Sequence, residues 1–184
     1  MLPRTTLSVI TRLALLFWAA WLSVVATTNV LNGLQAWGAL PASFKFVSGN
    51  WPWIQQVMDP LGVPRGLQAV LFTGVIVWEA LAAMLFWRAV AMYRGGPLAH
   101  EKATVYACGV NLALWAAFQV LDEVFMAYQP EGVHRVIFVS QIVTLLLLRL
   151  LTDPAQPPGI ADPDERRGGG DRGGAAHGSP PQGV

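Results

Sequence analysis

Four stretches of this chain are each apolar enough, over enough residues, to cross a lipid bilayer: about Ser8–Leu31, Leu67–Tyr93, Ala103–Tyr128 and Arg135–Thr152. A helix rising about 1.5 Å per residue needs roughly 20 apolar residues to traverse a hydrocarbon layer about 30 Å thick. In that layer every backbone N–H and C=O must be bonded internally, so each stretch is expected to be a helix. The short alternating runs of a transmembrane β-barrel are absent. Composition agrees: 54% of the 184 residues are hydrophobic and only 12% charged, where a soluble domain carries about a quarter charged residues. Twelve Lys and Arg against eleven Asp and Glu leave no cationic excess for a nucleic acid. The single cysteine, Cys108, excludes an intrachain disulfide framework, a cysteine zinc cluster and a dithiol redox pair. The expected fold is all-α, a four-span integral membrane bundle over residues 1–152. Beyond Asp153 the composition turns to Pro, Gly and mixed charge, and residues 153–184 read as a disordered cytoplasmic tail.

Positive charge sets the expected orientation. Arg4, Arg12, Arg88, Arg94, Lys102, Arg149, Arg166, Arg167 and Arg172 fall on one side of the spans, against Lys45, Arg65 and Arg135 on the other. Nine against three places both termini on the cytoplasmic side. A competing reading takes Arg4, Arg12 and the apolar run ending at Val24-x-Ala26 as a cleavable secretory signal. Against it, apolar character continues through Val30 and Leu31.

The first outer connection, about Asn32–Gly66, is too long for a helix–helix turn and rich in aromatics and proline. After Pro52, residues Trp53, Ile54, Val57 and Met58 recur at helical spacing, which predicts a short interfacial helix. The same spacing also suits a cap packed on the bundle without lipid contact.

Three segments occur in order: Asn50-Trp51-Pro52-Trp53-Ile54-Gln55-Gln56-Val57-Met58, then Trp78-Glu79-Ala80-Leu81-Ala82-Ala83, then Asp122-Glu123-Val124-Phe125-Met126-Ala127-Tyr128-Gln129. Together they resemble the bacterial membrane proteins grouped as domain of unknown function 2165, over roughly Leu13–Leu151 and not the tail. Members often carry Gly-Glu-Trp-Phe-x-Met-Trp-Gln in the third segment, so Asp122, Val124 and Tyr128 are departures while Glu123 is retained. The resemblance implies a four-helix inner-membrane protein and carries no catalytic residue with it.

The residues themselves single out one depth. Glu79 lies about 12 residues, roughly 18 Å, into its span, in the middle of the hydrocarbon. A carboxyl there costs a few kcal/mol even on lenient scales, so it is expected to face the bundle interior. The third span sets Asn111, Trp115, Gln119 and Asp122 along one stripe, with Glu123 one turn above Gln119, and Trp115 falls level with Glu79. The fourth span contributes Ser140 and Gln141, the first Asn29 and Asn32. The expected intramembrane polar site therefore comprises Glu79, Glu123, Gln119, Asn111, Gln141, Asn29 and Trp115, with Glu79 bonded to the third span near Trp115 or Gln119. Such a site suits a proton, a cation or a polar ligand. It also suits a protonated Glu79 hydrogen-bonded across the bundle to hold helix register, or a contact with a partner helix.

No cofactor is expected. Haem wants axial His or Met from facing spans, and only His134 approaches a span end, His100 and His177 lying outside. Cys108 has no His near it in sequence to activate it. The chain reads as a non-enzymatic accessory or assembly subunit of a membrane complex. The alternative is a small oligomeric transporter or proton- or cation-conducting protein using Glu79. The bilayer is its surroundings, and a membrane-protein partner or a second copy its expected contact.

Overall fold

The computed structural model of the protein describes residues 4–93 and 97–152. Among them are five α-helices and no strand: α1 (Arg4–Ala36), α2 (Asn50–Met58), α3 (Arg65–Met92), α4 (Pro97–Val124) and α5 (Tyr128–Thr152). A 3₁₀ turn, Asp59–Leu61, joins α2 to α3. All but α2 are long and apolar enough to span a membrane. The chain is thus all-helical, with four spans packed α1 on α3, α3 on α4 and α4 on α5, while α1 meets α5 to close the bundle. The expected tail, 153–184, lies outside the described residues, as do residues 1–3 and 94–96.

The bundle follows from steps of three, four or seven residues between inward positions. On α1 these are Thr11, Leu15, Trp18, Leu22, Ala26, Asn29 and Asn32; on α3, Gln68, Phe72, Glu79, Ala82, Phe86 and Ala89. Such steps keep one seam facing the neighbouring helices over the whole length. The half of the bundle remote from α2 is built from small residues, Ala19, Ala82, Ala83, Ala89, Ala103 and Ala107, around the stacked rings of Trp18 and Phe86. Lipid tails are as apolar as leucine, so close approach through alanine supplies packing attraction that burial alone does not. The outward faces carry Val70, Val77 and Met84 on α3 and Val136, Val143 and Leu150 on α5, as lipid contact requires.

Tryptophan N–H groups, which hydrocarbon cannot satisfy, tie the helices in pairs. Trp18 donates to Thr144 Oγ1 (3.2 Å), Trp78 to the Val110 carbonyl (3.1 Å) and Trp87 to Ser23 Oγ (3.0 Å). At the end away from α2, the Tyr93 hydroxyl bonds Ser8, and Arg149 pairs with Glu101 at 2.6 Å.

Helix limits differ from the sequence expectation at three places. First, α1 runs on to Ala36, five residues past Leu31, because the following loop folds back onto it. There Asn32 Oδ1 accepts the Trp51 N–H (2.7 Å) and Gln35 donates to the Pro41 and Phe44 carbonyls (both 3.0 Å). Second, α4 stops at Val124, short of Tyr128. Met126 takes a left-handed conformation (φ 54°), with Ala127 N–H on Asp122 O and Met126 N–H on Glu123 O. That is the paired 6→1 and 5→2 pattern that closes a helix C-terminus. Third, the tight turn lets α5 start at Tyr128, seven residues before Arg135.

The predicted short helix in the first connection is α2. Its apolar side, Trp53, Ile54, Val57 and Met58, is turned inward over a cavity, and Trp51 packs on Phe72. The arrangement is that of a cap on the bundle.

Candidate functional site

Glu79 is 2% exposed, at mid-length of α3. Its partner is on α1: Asn29 Nδ2 donates to both carboxyl oxygens, at 3.0 and 2.8 Å. The amide cannot easily turn over, because Asn29 Oδ1 already accepts from Asn50 Nδ2 of α2 at 2.7 Å. A chain of amides therefore runs from the cap helix through α1 to the carboxyl on α3, with every N–H pointing towards Glu79. Sequence reasoning placed the partner near Trp115 or Gln119, and the structure corrects this. Those groups are engaged within α4: Trp115 Nε1 donates to Asn111 Oδ1 (2.9 Å) and Gln119 Nε2 to the Trp115 carbonyl (3.4 Å).

A second polar group joins α4 to α5. Asn111 Nδ2 donates to Gln141 Oε1 at 2.5 Å, and both side chains are fully buried. Gln141 Nε2 has no oxygen or nitrogen acceptor and lies by the Cys108 sulfur.

The third group was not foreseen as a pair. Asp122 Oδ2 and His134 Nδ1 are 2.6 Å apart, with side chains 5% and 16% exposed. An ionised carboxylate only accepts, so Nδ1–H is the donor. The helix-ending turn at Phe125–Ala127 produces this pair by folding the start of α5 onto the last turn of α4. Rings of Trp115 and Phe118 flank the imidazole, with centroids 5.7 and 4.6 Å away. A signal was present in the sequence: His134, Gln141 and Leu148 recur at intervals of seven on one face of α5.

These residues surround one cavity of about 440 Å³, walled by all five helices. Glu79, Asp122 and His134 reach it, with Asn50 and Gln129 the other polar lining residues. Its aromatic walls are Trp53, Phe72, Trp115, Phe118 and Phe125, and no Lys or Arg lines it. The volume is within the range of about 300–1,000 Å³ usual for small-molecule pockets. Of the expected site residues, Glu79 and Trp115 line the cavity, Asn29 stands directly behind Glu79, and Asn111 and Gln141 form the adjoining wall bond. Gln119 bonds its own helix, and Glu123 is exposed, apart from both groups. Among the described residues no cluster of three or more His, Cys, Asp or Glu could hold a metal ion.

None of the family models, curated proteins or solved structures compared with the chain matches it. The resemblance to domain of unknown function 2165 rests on the three quoted segments alone.

Proposed function

We propose that this is a multi-pass inner-membrane protein that binds a small amphipathic molecule in the cavity beneath α2, with both termini cytoplasmic and the cap outside. We place it with the domain of unknown function 2165 proteins on the three segments above. The carrying observation is the cavity itself: a space of about 440 Å³ inside one chain, apolar in its walls and fitted with a buried carboxyl and a His–Asp pair. Convergent polar groups in a mainly apolar concavity are the ordinary form of a ligand site. This favours ligand handling, the transporter-type alternative, over an accessory subunit, whose function would lie on an outward face. Binding needs only one copy, since every wall comes from the same chain.

The test is a panel of ring compounds of similar size, benzyl alcohol, benzoate and benzyltrimethylammonium, titrated against the protein in nanodiscs of zwitterionic lipid. Saturable quenching of tryptophan fluorescence is expected for at least one, because Trp53 and Trp115 line the cavity. At about one hundred times Kd the ligand should stabilise the fold by about 2.7 kcal/mol. Val75→Phe, which fills the cavity from α3, should abolish the effect. Failure of all three compounds, or binding that survives Val75→Phe unchanged, would overturn the proposal.

A further inference from the structure

We infer that the occupant of this cavity is an organic monocation, an ammonium-type head on an apolar body, with the Glu79 carboxylate as its counter-charge. The inference rests on the ligand-binding reading above and adds the chemical class.

The first observation is the direction of the hydrogen bonds. Asn29 presents N–H to both Glu79 oxygens, and Asn50 fixes the amide in that orientation from behind. Glu79 is thus held as an acceptor at both oxygens, and turning the Asn29 amide to accept from it would lose the bond to Asn50. The second is charge. A carboxyl at mid-bilayer depth is neutralised either by a proton or by a cation, and no Lys or Arg lines the cavity to supply the cation from the protein. The imidazole of His134 is already committed to Asp122. With Glu79 ionised, the lining carries a net charge of −1 if His134 is protonated and −2 if it is neutral. An anionic ligand would meet repulsion there, while a cation gains the attraction of the ionised carboxyl that a neutral ligand does not.

The third observation is the nature of the walls. Among the described residues no group of three or more His, Cys, Asp or Glu could hold a metal ion, and a hard inorganic cation such as Ca²⁺ takes about six to eight oxygen ligands. Aromatic faces have the opposite preference. Rings of Trp and Phe attract a weakly hydrated cation through their negative faces, and cages of this type select alkylammonium heads. Trp115, Phe118 and Phe72 border the cavity and are rings of this type, while Val25, Leu71 and Leu121 suit an apolar body.

The experiment compares benzyltrimethylammonium with benzyl alcohol, which shares the ring and lacks the charge, on wild type and Glu79→Gln in zwitterionic nanodiscs. Wild type should bind the cation at least about tenfold more tightly than the alcohol. Glu79→Gln should cost the cation about ten- to a hundredfold, the range of a lost charged contact, and leave the alcohol within about twofold. Glu79→Asp, which keeps the charge, should retain a preference for the cation and guards against a variant that fails to fold. Equal binding of cation and alcohol by wild type, or an unchanged cation affinity in Glu79→Gln, would overturn the cation assignment. If the alcohol or benzoate still bound in a way that Val75→Phe removes, the ligand-binding reading would stand without it.

Discussion

Asn29→Leu removes the one side chain that satisfies Glu79, so it tests whether the two helices are held together where the structure says. The amide makes two contacts with the carboxyl, 3.0 and 2.8 Å, and one with Asn50. Hydrogen bonds to charged groups contribute about 1.5–3 kcal/mol in soluble proteins. In bilayers, measured interhelical couplings average about 0.6 and reach about 1.7 kcal/mol, because the separated helices find other partners. Glu79 is 2% exposed and, among the described residues, its side-chain partner is Asn29, which puts this pair at the upper end. A coupling of about 1–2 kcal/mol is therefore expected from the cycle Asn29→Leu, Glu79→Leu and the double variant. The single Asn29→Leu should cost more than the coupling, about 2–4 kcal/mol, since it strands a buried carboxyl. Glu79→Gln keeps an acceptor for the amide and should cost about 1 kcal/mol or less. The assay is reversible unfolding by SDS in mixed micelles, followed by tryptophan fluorescence. A coupling below about 0.5 kcal/mol, with all variants folded, would refute the pairing.

His134→Ala should destabilise by about 3–5 kcal/mol by leaving Asp122 buried and unpaired, while Asp122→Asn in the same background should restore much of that; the same unfolding assay reads both. Met126→Gly should raise stability by about 0.5–1 kcal/mol, because a side chain in the left-handed region is strained and Met126 is 58% exposed, so little packing is lost. Gly33→Ala should stabilise α1 by a similar amount, about 0.5–1 kcal/mol, since the added methyl would sit 3.6 Å from Trp37 and 3.7 Å from Phe72, ordinary contact distances. Ser43→Cys, in a chain lacking Cys108, should react with a membrane-impermeant maleimide in intact cells; labelling only after permeabilisation would reverse the orientation.

The spans were legible because apolar length is a direct consequence of bilayer thickness, and Glu79 stood out because a carboxyl at that depth must face inward. Its partner was not legible. Two helices can be read for depth from their own ends, but the offset between α1 and α3 is set by a connection of 28 residues between Ala36 and Arg65. That offset brings Asn29 to Glu79, and neither span contains it. The apolar side of α2 was visible and its destination was not, since Trp53, Ile54, Val57 and Met58 would be spaced identically against lipid headgroups or a cavity. The Asp122–His134 pair was hidden for a third reason. A helix end is usually marked by Gly in the left-handed position, and here that position is Met126. Without the mark the third span reads on to Tyr128, Asp122 looks solvated, and His134 falls short of the fourth span.

The two readings of the intramembrane polar residues, register-holding bonds or ligand site, attach to different side chains in the structure. Asn111 and Gln141 bond one another in the wall, and Gln68 bonds Asp59 and the Val63 carbonyl below the cap. These contacts fix helix against helix and present nothing to the cavity. Glu79, Asp122 and His134 are bonded on one side and line the cavity on the other. A residue that only holds register gains nothing from bordering open space, since a satisfied polar atom packed in the wall is just as well bonded and leaves no packing defect. The division also follows the length of the bundle. Away from α2, alanines bring the helices close around Trp18 and Phe86. Towards α2 the seam carries Asn29, Asn32, Gln68 and Glu79, and larger rings hold the walls apart. The cap helix packs chiefly on α1 and α3 among the spans, yet covers a space whose far wall is α4 and α5. Its one side-chain bond towards the carboxyl is Asn50 to Asn29. The cap and the carboxyl beneath it are therefore linked through the Asn29 amide of α1, so a change at Glu79 can reach α2 by way of that side chain.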